Sequence, residues 1–138
     1  MTDIELKSVN YLKTIREYRL TAKYARQMAD YYREQIRAML PYRHDMTLQQ
    51  QLEDQAEKAE RKAEWAESQA GQRIALIETV PDVQERQLLM HKYVDLMAWP
   101  EVAVSLGLNY NRFYTLRKRA LEKFAIEHLQ EDHDEGTG

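Results

Sequence analysis

From Asp3 to Leu40 the chain contains neither glycine nor proline. Along that run Ile15, Tyr18, Ala22, Ala25, Ala29, Tyr32, Ile36 and Met39 recur at alternating steps of three and four. That spacing keeps one stripe of a helix apolar, with the heptad period of a seam that meets another helix. Pro41 ends the run, and "PYRHDMT" reads as a loop. A second seam follows between about Leu48 and Thr79: Leu52, Ala56, Ala59, Ala63, Ala66, Ala70, Ile74 and Ile77. Alanine-rich seams let two backbones approach closely, and a loop of about seven residues favours antiparallel neighbours. Only four glycines and three prolines occur in 138 residues, which leaves little material for strands joined by many turns. The expected fold is all-α: a long antiparallel helical hairpin, coiled-coil-like, over residues 1–80, then a smaller helical domain over 81–129 and a disordered acidic tail over 130–138. The same seams suit an intermolecular coiled coil, and that reading stays open at this point.

The absence of cysteine excludes disulfides, thiolate metal sites and cysteine nucleophiles. It fits a cytoplasmic location. No apolar run resembles a signal peptide or spans a membrane. The net charge of −3 hides an uneven distribution. Residues 109–124 carry Arg112, Arg117, Lys118, Arg119 and Lys123 against Glu122 alone, whereas residues 125–138 and the second seam helix are acidic. Local sign decides which surface attracts a polyanion.

The cationic segment follows a tight turn. Pro81 and Asp82 open a helix near Val83. Pro100 sits in the first turn of a short helix, "WPEVAVSL", where its missing N–H costs little. Gly107 supplies the turn, and Asn109 is a good N-cap for a last helix over about 110–129. Val102, Ala103, Leu106, Leu108, Phe113, Leu116, Ala120 and Leu121 can share one small core, and Ala103 is small where the two helices would cross. Two helices joined in this way form a helix-turn-helix pattern. Its second helix has an outward stripe of Asn111, Tyr114, Thr115 and Lys118, flanked by Tyr110, Arg112 and Arg119. Asparagine can pair with adenine and arginine with guanine in a major groove, and a threonine methyl can touch the thymine methyl. Arg117, Arg119 and Lys123 suit phosphates, which position a protein without reading sequence.

The segments "ERQLLMHKY" (Glu85–Tyr93) and "WPEVAVSLGLNYNRFYTLRKRALEKF" (Trp99–Phe124) resemble region 4 of the sigma-70 family, which binds the −35 promoter element. "RFYTLRKRALEKFA" (Arg112–Ala125) is closer to sigma-like phage regulators of the ArpU and RinA type. The resemblance covers about a third of the chain. It implies activation of phage late genes, for packaging and lysis, in the cytoplasm of a bacterial host. By position, it places DNA contacts on Asn109, Tyr110, Asn111, Arg112, Tyr114, Thr115 and Lys118. Housekeeping sigma factors often carry Arg, Glu, Arg and Gln where this chain has Tyr110, Asn111, Tyr114 and Thr115, so a different target sequence is expected. No counterpart of sigma region 2 is visible.

The expected partners are double-stranded DNA, host RNA polymerase and a second copy of the chain through the helical region. No cofactor, no metal and no enzymatic activity are expected, because no phosphate-cradling loop, nucleophile–base grouping or zinc spacing occurs. His128 and His133 flank Asp132 in the tail, where a solvated tail outweighs metal binding. His91 reads as a half-buried structural histidine. Trp65 reads as a rim residue of the hairpin or a partner contact. The competing functions are a small terminase-like packaging protein with an oligomerising helical region, and a protein whose basic helix grips an acidic protein partner.

Overall fold

The computed structural model describes residues 1–40 and 46–130. Residues 131–138 of the expected tail and residues 41–45 of the loop lie outside the described residues, with His44 and His133 among them. Six helices make up the described chain: α1 (Asp3–Leu12), α2 (Thr14–Met39), α3 (Met46–Glu78), α4 (Val83–Tyr93), α5 (Trp99–Ser105) and α6 (Tyr110–His128). The fold is all-α, with no strand among the described residues. No helix among them is long and apolar enough to cross a membrane.

The single helix expected from Asp3 to Leu40 is two helices, and the reason is local. The Thr14 hydroxyl donates back to the Tyr11 carbonyl, a competing bond of the kind that bends helices. The Lys13 N–H is shared between the Val9 and Tyr11 carbonyls. Arg73 of α3 holds the junction: its Nε donates to Thr14 Oγ1 at 2.8 Å, and its guanidinium lies 4.5 Å from the Tyr11 ring centroid. The other difference is at α3, which begins at Met46, two residues before the expected start.

The helices divide into two compact units. One contains residues 1–16 and 71–138; the other contains residues 17–70, so α2 and α3 each contribute to both. This division does not follow the expected boundary at residue 80. In the first unit α6 packs against α1 and α4, and α4 against α5. All of the large, fully buried side chains belong to it, among them Leu12, Ile15, Ile77, Leu88, Leu121 and Phe124.

The second unit is built differently. Every buried residue described between 17 and 70 is an alanine. Ala22 and Ala25 of α2 pack with Ala63 and Ala66 of α3, and Tyr18 lies against them. The seams are therefore real: each seam residue in this unit is buried or half-buried. Arg26 makes a two-pronged contact with Glu67 (2.8 and 2.7 Å), and Arg33 reaches Glu60 at 2.6 Å. The later α2 residue pairs with the earlier α3 residue, so the two segments run antiparallel. The hydrogen bonds from Arg26 and Arg33 hold the Glu67 and Glu60 carboxyls below the usual carboxylate range. These pairs are exposed, so they set register more than they stabilise. Close packing against Ala22 and Ala25 leaves no room at Ala66, which is 0% exposed. Ala66→Leu is expected to destabilise the protein by roughly 1–3 kcal/mol through overpacking, measured by urea unfolding; a neutral result would mean that the two helices can move apart.

Candidate nucleic-acid interface

The site is assembled from α4 upward. Asp82 caps α4 by accepting the Glu85 N–H at 2.9 Å. This cap positions a helix whose inner face carries Leu88, Leu89 and Tyr93. His91 connects α4 to its surroundings. Its Nδ1 lies 2.9 Å from Asp95 Oδ2 and its Nε2 lies 3.4 Å from Ser105 Oγ, in keeping with the structural role expected of it. The chain then turns with Leu96 at φ 60°. Pro100 lies in the first turn of α5, whose Val102 is fully buried. The Trp99 ring bridges α4 and α6, lying edge-on to Tyr93 (6.2 Å) and to Phe113 (5.8 Å).

Gly107 ends α5 at φ 67°, in the left-handed region that glycine enters without strain. A Cβ added there would meet nothing within 4 Å, so any penalty on substitution comes from the backbone. Asn109 then caps α6 by accepting the Arg112 N–H at 3.0 Å. Its side-chain oxygen is thus committed to the helix start, one residue before the exposed stripe.

Helix α6 buries Phe113, Leu116, Ala120, Leu121, Phe124 and Ala125. The opposite edge is open: Tyr110, Asn111, Arg112, Tyr114, Thr115 and Lys118 are all exposed. The tilted ring pair Tyr110–Tyr114 (5.1 Å between ring centroids) stands at the N-terminal end of the helix. The Thr115 hydroxyl donates to the Asn111 carbonyl at 3.0 Å, so its proton is committed to the helix backbone. Asn111, Arg112 and Thr115 border an open concavity of about 410 Å³ between α4 and α6, with Gln84 and Arg119.

The remaining cations have neighbours within the protein. Arg119 Nε and Lys123 Nζ lie 3.6 and 3.8 Å from Glu85 Oε2, and Glu85 is 2% exposed. A carboxylate buried this deeply needs compensating positive charge, so these two side chains serve the fold whether or not they also meet a ligand. Arg117 is half-buried, with its guanidinium 4.4 Å from the Tyr114 ring centroid and 5.4 Å from that of Trp99. Burial pushes the nearby Tyr93 hydroxyl up to about 12, against the opposing influence of Arg117.

Sequence reasoning did not foresee the part played by α1. Ser8, fully buried, donates from Oγ to the Leu121 carbonyl of α6 at 2.6 Å. Glu5 is also buried and closes a capping box with Thr2: its carboxylate accepts the Thr2 N–H at 2.7 Å, and the Thr2 hydroxyl accepts the Glu5 N–H at 3.2 Å. The signal was present as Glu5, Ser8, Leu12 and Ile15, which continue the three-and-four spacing upstream. Two polar members disguised it as surface.

No family model, curated protein or solved structure matches this chain.

Two outcomes follow from the geometry. Gly107→Ala is expected to cost about 1–2 kcal/mol, the penalty of a left-handed backbone for an ordinary residue, with no steric contribution; thermal unfolding measures it. Burial raises the pKa of Glu5, but the Thr2 bonds, with the terminal ammonium and Lys118, carry it below its ordinary value overall. A depressed carboxyl stabilises fully above its unfolded value, about 4.3, and loses that contribution as pH falls through the folded one. Glu5→Gln should therefore be less stable than the parent at neutral pH, and the gap should close in acid. A gap that is constant with pH would remove the charge from the explanation.

Proposed function

We propose that this chain is a sequence-specific DNA-binding transcription regulator, of the kind that phages encode to activate late packaging and lysis genes. In this reading α5, the Gly107 turn and α6 form a helix-turn-helix, and α6 is the recognition helix. The observation that carries the proposal is the exposed edge of α6. Asn111, Tyr114, Thr115 and Lys118 stand outward at successive helical turns while the opposite face of the same helix is buried. Asn111 and Arg112 have no side-chain partner among the described residues and remain available for base edges. Both lie in the first turn of α6, the part of a recognition helix that reaches into a major groove. The likeness of this stretch to ArpU- and RinA-type regulators agrees with the proposal and supplies the late-gene role. The antiparallel segments of α2 and α3 then form a helical hairpin that carries partner contacts, to a second copy or to RNA polymerase.

Selection of bound fragments from phage and bacterial genomic DNA should yield a defined target. On that target Arg112→Ala is expected to cost about 1–3 kcal/mol of binding, concentrated on the preferred sequence. Lys118→Ala should weaken all duplexes alike and reduce the slope of log affinity against log salt by about 1. Arg117→Ala should change that slope less, because its guanidinium lies over aromatic rings. A protein indifferent to every duplex at low ionic strength would end the proposal. A ring of eight or more subunits in solution would favour a packaging role.

A further inference from the structure

The second unit inverts the usual distribution of side chains. Its fully buried residues are alanines, while several of its large apolar groups are exposed: Tyr24 is 58% exposed, Met28 44% and Trp65 53%. They are not scattered. Arg26–Glu67 and Arg33–Glu60 occupy one side of the α2–α3 pair. On the other side a groove of about 430 Å³ is walled by Tyr24, Met28 and Tyr32 of α2 and by Lys58 and Lys62 of α3, with Ala25 and Ala59 among its lining residues. Trp65 extends that side, edge-on to Tyr18 at 5.5 Å. From Tyr18 to Tyr32 the side runs about 20 Å, at 1.5 Å per residue. That is the length of a four-turn helix.

Charge indicates the occupant. Residues 48–78 are predominantly acidic, yet the α3 side chains lining the groove include two lysines and no carboxylate. Neither lysine has an ion-pair partner among the described residues, whereas Arg61 beside them pairs with Glu57. We propose that this groove docks an amphipathic helix of a partner protein, apolar on one face and acidic at its edge. The apolar face would lie on Met28 and Tyr24, and the carboxylates would meet Lys58 and Lys62. This is helix-in-groove recognition, which completes a three-helix arrangement from two. A second copy docked face to face would bring four lysines into one contact. A nucleic-acid strand would meet a floor fitted to aliphatic side chains and the acidic remainder of α3. The proposal does not depend on the DNA-binding reading.

Two synthetic peptides of about 16 residues test it, sharing one leucine stripe but carrying either glutamates or lysines on the polar face. Titration into the whole chain is followed by tryptophan fluorescence and by anisotropy of labelled peptide. The glutamate peptide should saturate at one per chain and the lysine peptide should not. Lys58→Glu with Lys62→Glu should weaken the glutamate peptide at least tenfold and admit the lysine peptide. Met28→Glu should abolish binding of the glutamate peptide. All three positions are exposed, so circular dichroism should show unchanged helicity; Lys58→Gln with Lys62→Gln, expected to weaken the glutamate peptide without admitting the lysine one, replaces any reversal that unfolds. Equal binding of the two peptides, no saturation, or indifference to charge reversal would overturn the proposal. So would displacement of the peptide by DNA, or a self-association that Met28→Glu dissolves.

Discussion

The first unit depends on how α6 is held. A helix that offers one edge to a ligand must be fixed along its remaining circumference, or burial of its apolar residues would be incomplete and its orientation undefined. Here α4 packs on one flank and α1 on another, with Trp99 of α5 against Phe113. The bond from Ser8 to the Leu121 carbonyl ties α1 to the α6 backbone at a fully buried position. A buried hydroxyl left without a partner would be costly, so this contact sets the register of α1 on α6 as well as its proximity. The exposed edge of α6 is defined by exclusion: it is the part of the helix that no neighbour covers.

The two units apportion apolar side chains in opposite ways. Where residues 1–16 and 71–130 enclose leucines, isoleucines and Phe124, residues 17–70 enclose alanines alone. An alanine seam gives close backbones but little buried area per residue, and burial is what stabilises a helix pair. Several larger apolar groups of the second unit, Tyr24, Met28 and Trp65 among them, are exposed. Such a distribution buries less apolar area than a seam of leucines would.

Much of this was legible in the sequence, for identifiable reasons. The seams were readable because Ala22, Ala25, Ala63 and Ala66 fall on an unambiguous period. The turn was readable because Gly107 and Asn109 each have one preferred structural use, and both have it. The break at Lys13 was not readable, because Tyr11, Lys13 and Thr14 are tolerable within a helix. The local bond from Thr14 to the Tyr11 carbonyl is joined there by Arg73, about sixty residues away, which donates to Thr14. The packing of α1 on α6 was hidden for a related reason: Glu5 and Ser8 are buried with their polar groups satisfied, and a pattern search for apolar residues passes over them. Tertiary hydrogen bonds of this kind leave no periodic trace.

The same limit applies to charge. Counting cations over residues 109–124 suggests a strongly positive surface, but Arg119 and Lys123 lie beside buried Glu85, and Arg117 rests over Tyr114 and Trp99. Arg112 and Lys118 have no ion pair among the described residues, although Lys118 lies within the influence of Glu5. Non-specific affinity for duplex DNA grows with the number of phosphates neutralised. A recognition helix with few free cations, in a chain of net charge −3, would gain little from phosphates alone. On the proposed reading, discrimination then falls to the uncharged members of the exposed edge, Asn111, Thr115 and the Tyr110–Tyr114 pair, whose contacts with bases depend on sequence.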